Sequence, residues 1–563
     1  MSISLRTCVL LVAAGSLSVF LGTPNPVMHL PLVMLVYPAM LLLASHTGAP
    51  FRLGWCAGIP GAAAALYWIA VAARMYGSFP WLLAAPCSIL LGMYVALWGG
   101  IFSWIMARTR ALSPWRRCAF AGVLWFLLEW TRGWFGTGFS WLTLSSGLAA
   151  WPVLIQPLSL LGEYGFSGLL ATVACLACEG AMRLFSRDSR RSGGLTTACA
   201  AGLLALIVLF GAWRLDVAPE KLAAEGTPVS FLLVQGSVRQ DVKWSKEYQQ
   251  QTLERYIRLS MDGVRRNVNA LAGATEAVPQ PSALASFMGR SGKIGDATLA
   301  PALPDVLLWP ETAMPFAYPS GPFSGELRSF VKGLGIPLIF GAPGVERAAD
   351  GKTLLYNRAF LLTPEGDDGH YDKEHLVPFG EYLPPVLDWD IFQSLLQGLG
   401  GFEPGTQEML FPLHLRGRGA LDMGMLICYE AIFPELARAR AAEGAGILLN
   451  ISNDAWYDYT SAPMQHLQLS LMRAVEEGRY VVRATNSGIT AVLDPLGGIH
   501  AMGSEENAHA LFVPGSLTCT ALALQGHTPY FYLHPWLPAA GFLLLLLLGL
   551  PLARRGGRRK PVD

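Results

Sequence analysis

The sequence carries little charge, with only 14% of its 563 residues being Asp, Glu, Lys or Arg, against roughly 25% in soluble domains. Its net charge at pH 7 is +1. A nearly neutral chain argues against a nucleic-acid-binding protein, which shows a basic face or tract. Because hydrophobic residues make up 52% of the chain, the composition indicates that much of it is not built for water.

The sequence also lacks a dense cysteine framework. Its nine cysteines are widely spread and mostly apolar in context, so no set of disulfides is predicted. Cys175 and Cys178 form a lone Cys-x-x-Cys pair without the second ligand pair of a structural zinc site. The histidines His370, His375 and His466 are not spaced as a ligand set, and no nucleotide-binding loop appears. We predict neither a metal nor a cofactor.

The sequence contains eight long apolar stretches. They cover residues 7–22, 28–45, 53–73, 82–107, 118–134, 161–182, 195–213 and 537–552. Most approach the roughly 20 residues that cross a hydrocarbon core. The pattern predicts an α-helical transmembrane bundle of eight helices, seven before residue 215 and one near the C-terminus. A signal peptide is the alternative for residues 1–22, because Arg6 precedes an apolar core.

Basic residues orient these stretches. With the N-terminus inside, the short outer loops hold only Arg74 and Arg132. The inner segments and the tail hold fifteen, namely Arg6, Arg52, Arg108, Arg110, Arg116, Arg117, Arg183, Arg187, Arg190, Arg191, Arg554, Arg555, Arg558, Arg559 and Lys560. This positive-inside bias predicts that the large segment between the seventh and eighth helices lies on the outer face of the membrane.

That large segment has the pattern of an α/β domain. Short β-rich runs occur at residues 229–234, 306–308, 338–340, 359–362, 423–427, 447–449, 481–483 and 490–493. Helical patterns at 248–268 and 465–477 lie among them, and such alternation is typical of α/β folds. We predict a bundle over 1–215, a catalytic domain over 228–520, a last transmembrane helix over 533–553 and a basic cytoplasmic tail over 554–563. Residues 267–303, which are rich in Ala, Gly, Pro and Ser, are predicted to be a loop insertion.

Three polar residues are candidates for chemistry: Glu311 and Cys428 each fall near the end of a predicted strand, and Lys373 precedes a turn-forming stretch that begins at His375. A cysteine reacts as a thiolate, and its ordinary pKa of about 8.5 leaves little thiolate at neutral pH. A nearby carboxylate can take the proton, and a nearby ammonium can stabilise the anion or the oxyanion of a tetrahedral intermediate. Glu311 and Lys373 are the candidates for these roles.

The motifs around these residues resemble those of the nitrilase (carbon–nitrogen hydrolase) superfamily. They are Trp309-Pro-Glu-Thr312, Tyr371-Asp-Lys-Glu-His-Leu-Val-Pro-Phe-Gly-Glu-Tyr382 and Cys428-Tyr-Glu430. Over nearly its full length the chain also resembles the apolipoprotein N-acyltransferase family, through Glu129-Trp-Thr-Arg-Gly-Trp134, Lys243-Trp244, Asn453-Asp-Ala-Trp456, Gln465-His466, Arg483-Ala-Thr-Asn486 and Thr528-Pro-Tyr530.

The resemblance implies a Glu-Lys-Cys triad at Glu311, Lys373 and Cys428, in a four-layer α-β-β-α sandwich on the periplasmic side of a bacterial inner membrane. It implies that Cys428 takes an acyl group from a phospholipid as a thioester and passes it to the N-terminal α-amine of a diacylglyceryl-modified apolipoprotein. The bilayer and these two substrates are the expected partners, with no nucleic acid, and the protein is expected to be a monomer.

Four further positions carry over from the resemblance as supporting or substrate-binding residues. Glu381 is expected to orient Lys373 or the incoming amine, and Glu430 to support the active-site loop. Trp244 and Tyr429 are expected to contact acyl chains or shape their entrance. The insertion at 267–303 separates Trp244 from Glu311 and leaves the placement of Trp244 open.

Acyl transfer to an amine requires that water be kept from the thioester. We hypothesise that residues 383–402, which are rich in aromatic and apolar residues and in glycine, form a mobile lid at the membrane surface. An ordinary helix and loop packed on the domain is the alternative.

Two other functions compete with acyl transfer. A tethered nitrilase or amidase would use the same triad to hydrolyse a small nitrile or amide, but a single tether would suffice for it. A transporter or scaffold would place ionisable groups well inside several helices, and few are found there.

Overall fold

The computed structural model describes residues 4–77, 79–186, 189–240, 243–271, 303–382, 401–406, 410–501 and 511–556. The predicted insertion at 267–303 and the predicted lid at 383–402 fall largely outside these residues, so both stay predictions.

The first part of the chain is helical, as its apolar stretches predict. Its helices are α1 (Leu5–Leu21), α2 (Val36–Ala44), α3 (Pro50–Ala65), α4 (Trp68–Met75), α5 (Trp81–Met106), α6 (Pro114–Trp134), α7 (Pro152–Ile155), α8 (Leu158–Leu184) and α9 (Arg190–Glu225). Each apolar stretch before residue 215 coincides with a helix or a pair of helices. A short 3₁₀ helix, Pro31–Leu35, leads into α2.

Small residues allow these helices to pack closely, as is common where no water drives association. A Cβ at Gly61 of α3 would stand 2.2 Å from the carbonyl oxygen of Ser16 on α1. One at Gly92 of α5 would stand 2.7 Å from the backbone nitrogen of Ala63 on α3. The glycines therefore set the distances between α1, α3 and α5.

Length and composition identify fewer membrane spans than the eight predicted. Within the described residues, three helices are long and apolar enough to cross a bilayer, α5, α8 and α9. The pair α3 and α4, bent by 50°, makes a fourth if it is one span. The apolar helices at 5–21, 31–44 and 537–550 are shorter. The structure therefore supports a membrane bundle and does not confirm the count of eight.

The second part is an α/β domain of two six-stranded sheets. The strands are β1 (Thr227–Gln235), β2 (Val306–Leu308), β3 (Leu338–Arg347), β4 (Thr353–Thr363), β5 (Gly366–Asp372), β6 (Leu410–Leu415), β7 (Gly419–Ile427), β8 (Ile447–Ser452), β9 (Tyr480–Thr485), β10 (Ala491–Leu493), β11 (Ile499–Ala501) and β12 (Gly515–Ala523). One sheet has the order β12-β1-β2-β3-β4-β5 and the other β11-β10-β9-β8-β7-β6. The centre of each sheet is parallel, with Phe231 opposite Val306 in the first and Met423 opposite Ile447 in the second.

Alternation along the strands builds three apolar layers. Val229, Phe231 and Leu233 of β1 lie in the core between the two sheets, together with Met423 and Met425 of β7. Their neighbours on the opposite face of the first sheet contact the helices α10 (Lys246–Leu271) and α11 (Ser324–Leu334). Because successive strand side chains point to opposite faces, nearly continuous apolar runs cover both faces.

The second sheet is covered by α12 (Pro434–Glu443) and α13 (Ala462–Glu477). Leu467 and Leu471 of α13 belong to the same buried cluster as Phe166 and Leu170 of the membrane helix α8. The result is a four-layer α-β-β-α sandwich whose outer helical layer rests on the bundle. The chain then passes through α14 (Pro529–Leu533) into the apolar helix α15 (Leu537–Gly556).

All eight β-rich runs of the sequence lie in or overlap strands, and both predicted helices are present. Four strands, β5, β6, β11 and β12, were not predicted. Strand β5 is polar, with the sequence Gly-Asp-Asp-Gly-His-Tyr-Asp, and it is held by antiparallel pairing with β4 rather than by its own apolar pattern.

Candidate active site

The three predicted catalytic residues lie just after the C-terminal ends of three strands. Glu311 lies three residues after β2, Lys373 directly follows β5 and Cys428 directly follows β7. Cys428 has φ +52° and Thr312, next to Glu311, has φ +49°. Such left-handed backbone is unfavourable for residues other than glycine and is enriched at functional sites. The turns at these strand ends bring residues from both sheets to one place.

Lys373 and two carboxylates form the centre of the site. The Nζ atom of Lys373 lies 2.9 Å from Oε1 of Glu381 and 3.6 Å from Oε1 of Glu311. Lys373 is only 1% exposed and Glu311 6%. A buried ammonium is tolerated when opposite charges and hydrogen bonds surround it. The carboxylate of Glu381 has the position of a group that orients the ammonium, and its Oε2 accepts from the backbone N–H of Val377 at 2.7 Å.

Asn357 on β4 links the two carboxylates and was not predicted from the sequence. Its Nδ2 atom donates to Oε1 of Glu311 and to Oε1 of Glu381, both at 2.7 Å. Its backbone oxygen also accepts from the N–H of Lys373 at 2.9 Å. The only signal in the sequence is a polar pair, Asn357 and Arg358, inside an otherwise apolar strand.

The thiol of Cys428 shares this environment. Burial raises its pKa above the ordinary value, the negative charge of Glu311 raises it further, and the positive charge of Lys373 lowers it. The thiol also has a hydrogen bond with Ser452 that favours the thiolate. Cys428 is therefore a neutral thiol at rest, and its reaction requires a base that removes the proton.

The opposing effects on Lys373 keep it charged. Burial lowers the pKa of its ammonium, but Glu381, Glu311 and Cys428 together raise it above its ordinary value. A cation that keeps its proton at neutral pH can stabilise a negative charge that develops during a reaction.

Tyr429 and Glu430 follow the thiol in a 3₁₀ turn, Cys428–Ile432. The carboxylate of Glu430 is fully buried and accepts four hydrogen bonds, from the N–H groups of Ile427, Glu374 and His375 and from the hydroxyl of Tyr371. It thereby ties the segment after β5 to the end of β7.

Tyr429 faces the membrane part of the chain. Its hydroxyl donates to the carbonyl oxygen of Gly138 at 3.3 Å, and its ring meets that of Phe433 edge to face at 5.1 Å. This residue therefore connects the active-site turn with the loop after α6.

A buried histidine fixes the backbone of the nucleophile. Nε2 of His466 lies 3.1 Å from the carbonyl oxygen of Cys428. Burial and the charge of Arg483 lower the pKa of His466, so the ring is neutral. Its Nδ1 atom lies 3.1 Å both from Oδ1 of Asp454 and from Nη2 of Arg483, so these two residues hold the ring whose Nε2 faces the carbonyl of Cys428. The motif containing His466 is visible in the sequence, but this role is not.

Trp244 lies apart from the central cluster. It is 47% exposed, in the turn before α10, and among the described residues its side chain has no hydrogen bond or ring contact with Glu311, Lys373 or Cys428. Its neighbour Lys243 is fully buried, and burial lowers the pKa of that ammonium to about 8, against the attraction of Glu311. A second cation thus acts on Glu311 from the segment that holds Trp244.

One group of three possible metal ligands occurs among the described residues. Ligand atoms of Glu346, His370 and Asp372 lie within 4.8 Å of one another. The guanidinium of Arg358 already pairs with both carboxylates, at 2.5 Å each. The group is thus an ion-pair network around an arginine.

Comparisons with known proteins agree over both parts of the chain. The model of the carbon-nitrogen hydrolase family matches residues 233–514, and the model of the apolipoprotein N-acyltransferase N-terminal domain matches residues 14–176. An amidase of the nitrilase superfamily from Nesterenkonia AN1 is a similar solved structure, with 20% identity and a TM-score of 0.32, covering 54% of this chain and 93% of that one.

Relatives with similar lengths extend this match. An apolipoprotein N-acyltransferase of Geobacter metallireducens is 33% identical over 488 residues, which cover 86% of this chain and 84% of the relative. One of Azotobacter vinelandii is 31% identical over 568 residues, which cover 98% of this chain and 95% of the relative. The chain therefore belongs to the apolipoprotein N-acyltransferase family, whose second domain is of the carbon-nitrogen hydrolase type.

Proposed function

We propose that the chain transfers an acyl group from a phospholipid, through a thioester on Cys428, to the N-terminal α-amine of a diacylglyceryl-cysteine apolipoprotein. The observation that carries the proposal is the buried cluster in which Lys373 lies between Glu311 and Glu381 while the charges of Lys373 and Glu311 act on the thiol of Cys428. This supplies a base, an electrophilic cation and a nucleophile in one place.

In the first half-reaction, Glu311 accepts the thiol proton as the sulfur of Cys428 attacks the ester carbonyl of the phospholipid. Lys373 stabilises the oxyanion of the tetrahedral intermediate. The carbon–oxygen bond to the glycerol then breaks, and Glu311 returns the proton to the departing alkoxide. The products are a lysophospholipid and an acyl thioester.

In the second half-reaction, the α-amine of the acceptor attacks the thioester carbonyl, and Glu311 removes a proton from the attacking nitrogen. The carbon–sulfur bond breaks, the proton returns to the sulfur, and an amide is formed. Glu381 and Asn357 hold Lys373 and Glu311 in position through both steps. They are positioning residues, because their contacts are with the other side chains of the site.

Burial supports transfer over hydrolysis. Cys428 and Lys373 are nearly inaccessible, and the turn at Cys428–Ile432 contacts the bundle through Tyr429. A dry site near a lipid surface favours an amine acceptor over water.

The membrane arrangement belongs to the same proposal. We place the bundle over 1–215, the catalytic domain over 228–520, a last span over 533–553 and a cytoplasmic tail over 554–563. The excess of basic residues on one side supports an eight-span protein of the bacterial inner membrane whose catalytic domain is periplasmic. Cysteine labelling with a membrane-impermeant reagent in intact spheroplasts, at the exposed position His414 and at positions in 557–563, tests the two sides independently.

Intact-protein mass spectrometry after incubation with phosphatidylethanolamine tests the chemistry. We expect a hydroxylamine-labile acyl adduct on the wild type and none on Cys428→Ala. Cys519→Ala is the matched control, since Cys519 is a second buried cysteine of the same domain, and its adduct should equal that of the wild type. Addition of a diacylglyceryl-cysteine peptide should discharge the adduct and yield an N-acylated peptide.

The alternatives predict different results in the same experiment. An adduct that water discharges and the peptide does not would indicate a hydrolase. Absence of an adduct on folded wild-type protein, or an equal adduct on Cys428→Ala, would exclude the thioester mechanism.

A further inference from the structure

A second polar cluster lies away from Cys428, where the catalytic domain meets the start of the last apolar helix. It is made by Arg438 of α12, Glu477 at the end of α13, and His527 and His534 on either side of α14. We refer to these four residues as the junction cluster. Helix α15 begins at Leu537, three residues beyond His534.

The guanidinium of Arg438 lies at this junction with no carboxylate of the described residues in ion-pair contact. Its guanidinium lies 5.0 Å above the ring of Phe531, and the buried Nε atom has no hydrogen-bond partner among the described residues. No ion pair of Arg438 is found in that part of the chain. A cation–π contact leaves the N–H donors in the plane of the guanidinium available for an acceptor.

His527 and His534 also have aromatic contacts and an unpaired buried nitrogen atom. The ring of His527 stacks on that of Phe531 at 3.7 Å, and the ring of His534 meets that of Tyr530 at 5.3 Å. Within the described residues the Nδ1 atoms of both are buried without a hydrogen-bond partner. Burial together with the charge of Arg438 lowers the pKa of both imidazoles, that of His534 to about 4. The rings are therefore neutral while no anion is bound beside them.

Glu477 lacks a hydrogen-bond donor, whereas Arg438 lacks an acceptor. It is completely buried, and neither carboxylate oxygen accepts a hydrogen bond from a described residue. The cations Arg438 and Arg479 act on it electrostatically, yet neither forms an ion pair with it. The donors of Arg479 are used by the backbone oxygens of Ala445 and Gly526. Buried polar groups are nearly always satisfied, so the cluster needs both an acceptor and a donor.

The surroundings indicate a ligand at a lipid surface. Tyr532 is 63% exposed and Trp536 is 71% exposed, next to the apolar helix α15. Exposed aromatic residues at the end of a membrane helix mark the level of the lipid headgroups. A headgroup offers phosphate oxygens as acceptors and, in ethanolamine or glycerol lipids, an ammonium or hydroxyl donor.

We propose that the junction cluster binds the headgroup of a phospholipid, with the phosphate on Arg438 and the imidazoles of His527 and His534 and the ammonium or hydroxyl end toward Glu477. Arginine suits this role because its planar set of N–H groups matches phosphate oxygens. The site is separate from the acyl-transfer centre and does not depend on the function proposed for that centre.

Native mass spectrometry of the full chain released from lipid nanodiscs tests the proposal. The chain carries Cys428→Ala so that no lipid is consumed, and the nanodiscs contain phosphatidylethanolamine, phosphatidylglycerol or phosphatidylcholine. We expect Arg438→Met to lower the apparent affinity for the first two lipids about tenfold, the effect of losing one charge-assisted contact. Arg438→Lys should restore part of the affinity, because a point charge replaces the planar fork.

The matched control is Arg347→Met, at an exposed arginine at the end of β3, and it should bind lipid as the parent does. Phosphatidylcholine has the phosphate but no donor, so it should bind more weakly than the other two lipids. Free inorganic phosphate and phosphoethanolamine form a second arm, and at millimolar concentration they should not displace the bound lipid.

Unchanged lipid binding by folded Arg438→Met would overturn the proposal. Complete displacement of lipid by free phosphate would show that the cluster is a site for a soluble anion and not for a headgroup. If phosphatidylcholine bound as tightly as the other two lipids, the proposed contact between the headgroup donor and Glu477 would be wrong. Thermal unfolding reports whether the variant is folded, and His534→Ala provides a second variant with the same expected direction if Arg438→Met does not fold.

Discussion

Two buried clusters in this molecule have the same composition, two glutamates around one cation, and differ in what they can do. The first is the active-site cluster, in which Lys373 lies 2.9 Å from Glu381 and 3.6 Å from Glu311. Its cation is a compact ammonium, one of its two contacts is long, and the thiol of Cys428 lies within its electrostatic influence.

The second cluster joins the catalytic domain to the bundle. Arg473 of α13 donates from Nη2 to Oε2 of Glu163 on α8 and from Nε to Oε2 of Glu476, both at 2.6 Å. Its Nη1 donates to the carbonyl oxygen of Ile432 at 2.7 Å. Oε1 of Glu476 also accepts from the backbone N–H of Glu163, at the kink where Gly162 has φ +65°.

The difference shows that composition alone does not separate a structural cluster from a chemical one. The guanidinium of Arg473 binds acceptors through all three of its nitrogens in a rigid fork, so this cluster fastens two domains. The ammonium of Lys373 is a point charge on a flexible stem, and its contact with Glu311 is 3.6 Å long. The two clusters therefore differ in the shape of the cation, in the length of one contact and in the presence of a thiol beside the first.

The largest expected effect comes from Lys373→Met. Loss of the cation removes oxyanion stabilisation and leaves Glu311 and Glu381 facing each other, so the rate of thioester formation should fall about 10³-fold. Single-turnover mass spectrometry with phosphatidylethanolamine measures that rate. Lys332→Met, at an exposed lysine of α11, should leave it unchanged, and a rate within twofold of the wild type for Lys373→Met would refute the assignment.

The corresponding change in the second cluster should affect stability. Arg473→Met leaves Glu163 and Glu476 buried without their cation, which should cost about 3–5 kcal/mol of unfolding free energy. Denaturant unfolding in detergent checks the value. Arg473→Lys should recover only part of it, because one ammonium cannot reproduce three donors. If the two clusters were equivalent, Arg473→Met would lose thioester formation as completely as Lys373→Met while keeping its stability.

Asn357→Ala sharpens the description of the first cluster. It removes one donor shared by two carboxylates, and hydrogen bonds to charged groups contribute about 1.5–3 kcal/mol. We expect kcat to fall about 10–100-fold while KM for the lipid stays the same, since Asn357 contacts other side chains and not the substrate. Thr353→Ala, at an exposed position of the same strand, is the control. A change confined to KM would indicate that Asn357 binds substrate instead.

The smallest effect concerns Glu477 of the junction cluster, which follows Glu476 of the Arg473 cluster in sequence. Its buried carboxyl group has no hydrogen-bond partner among the described residues. Burial raises its pKa from 4.5 to about 8. Between these values the folded protein, with no lipid headgroup bound beside Glu477, holds a proton that the unfolded chain has released, so the unfolding free energy falls as the pH rises. Glu477→Gln removes this dependence.

We therefore expect Glu477→Gln to gain stability relative to the wild type by at least about 1 kcal/mol between pH 5 and pH 8. Unfolding curves of the two proteins at matched pH values measure the difference, in which the titration of all other groups cancels. A difference that is constant with pH would show that Glu477 is charged in the folded protein.

Much of the fold could be predicted because its patterns are local. The eight β-rich runs and the helices at 248–268 and 465–477 follow from apolar periodicity, and the apolar stretches before residue 215 coincide with helices. Strand β5 escaped prediction because its polar residues are held by pairing with β4. The count of membrane spans is not confirmed, since bends such as that between α3 and α4 are decided by packing.

The sequence by itself determined that Glu311 and Cys428 lie at the ends of apolar strands, because apolar runs and the polar residues that end them are properties of neighbouring positions. Only the tertiary structure decided which carboxylate contacts Lys373, that Asn357 joins Glu311 to Glu381, and that Arg438 reaches Phe531. The physical reason is that electrostatic and hydrogen-bond contacts act through space over a few ångströms. The groups that meet there come from chain segments whose separation in sequence carries no information about their distance.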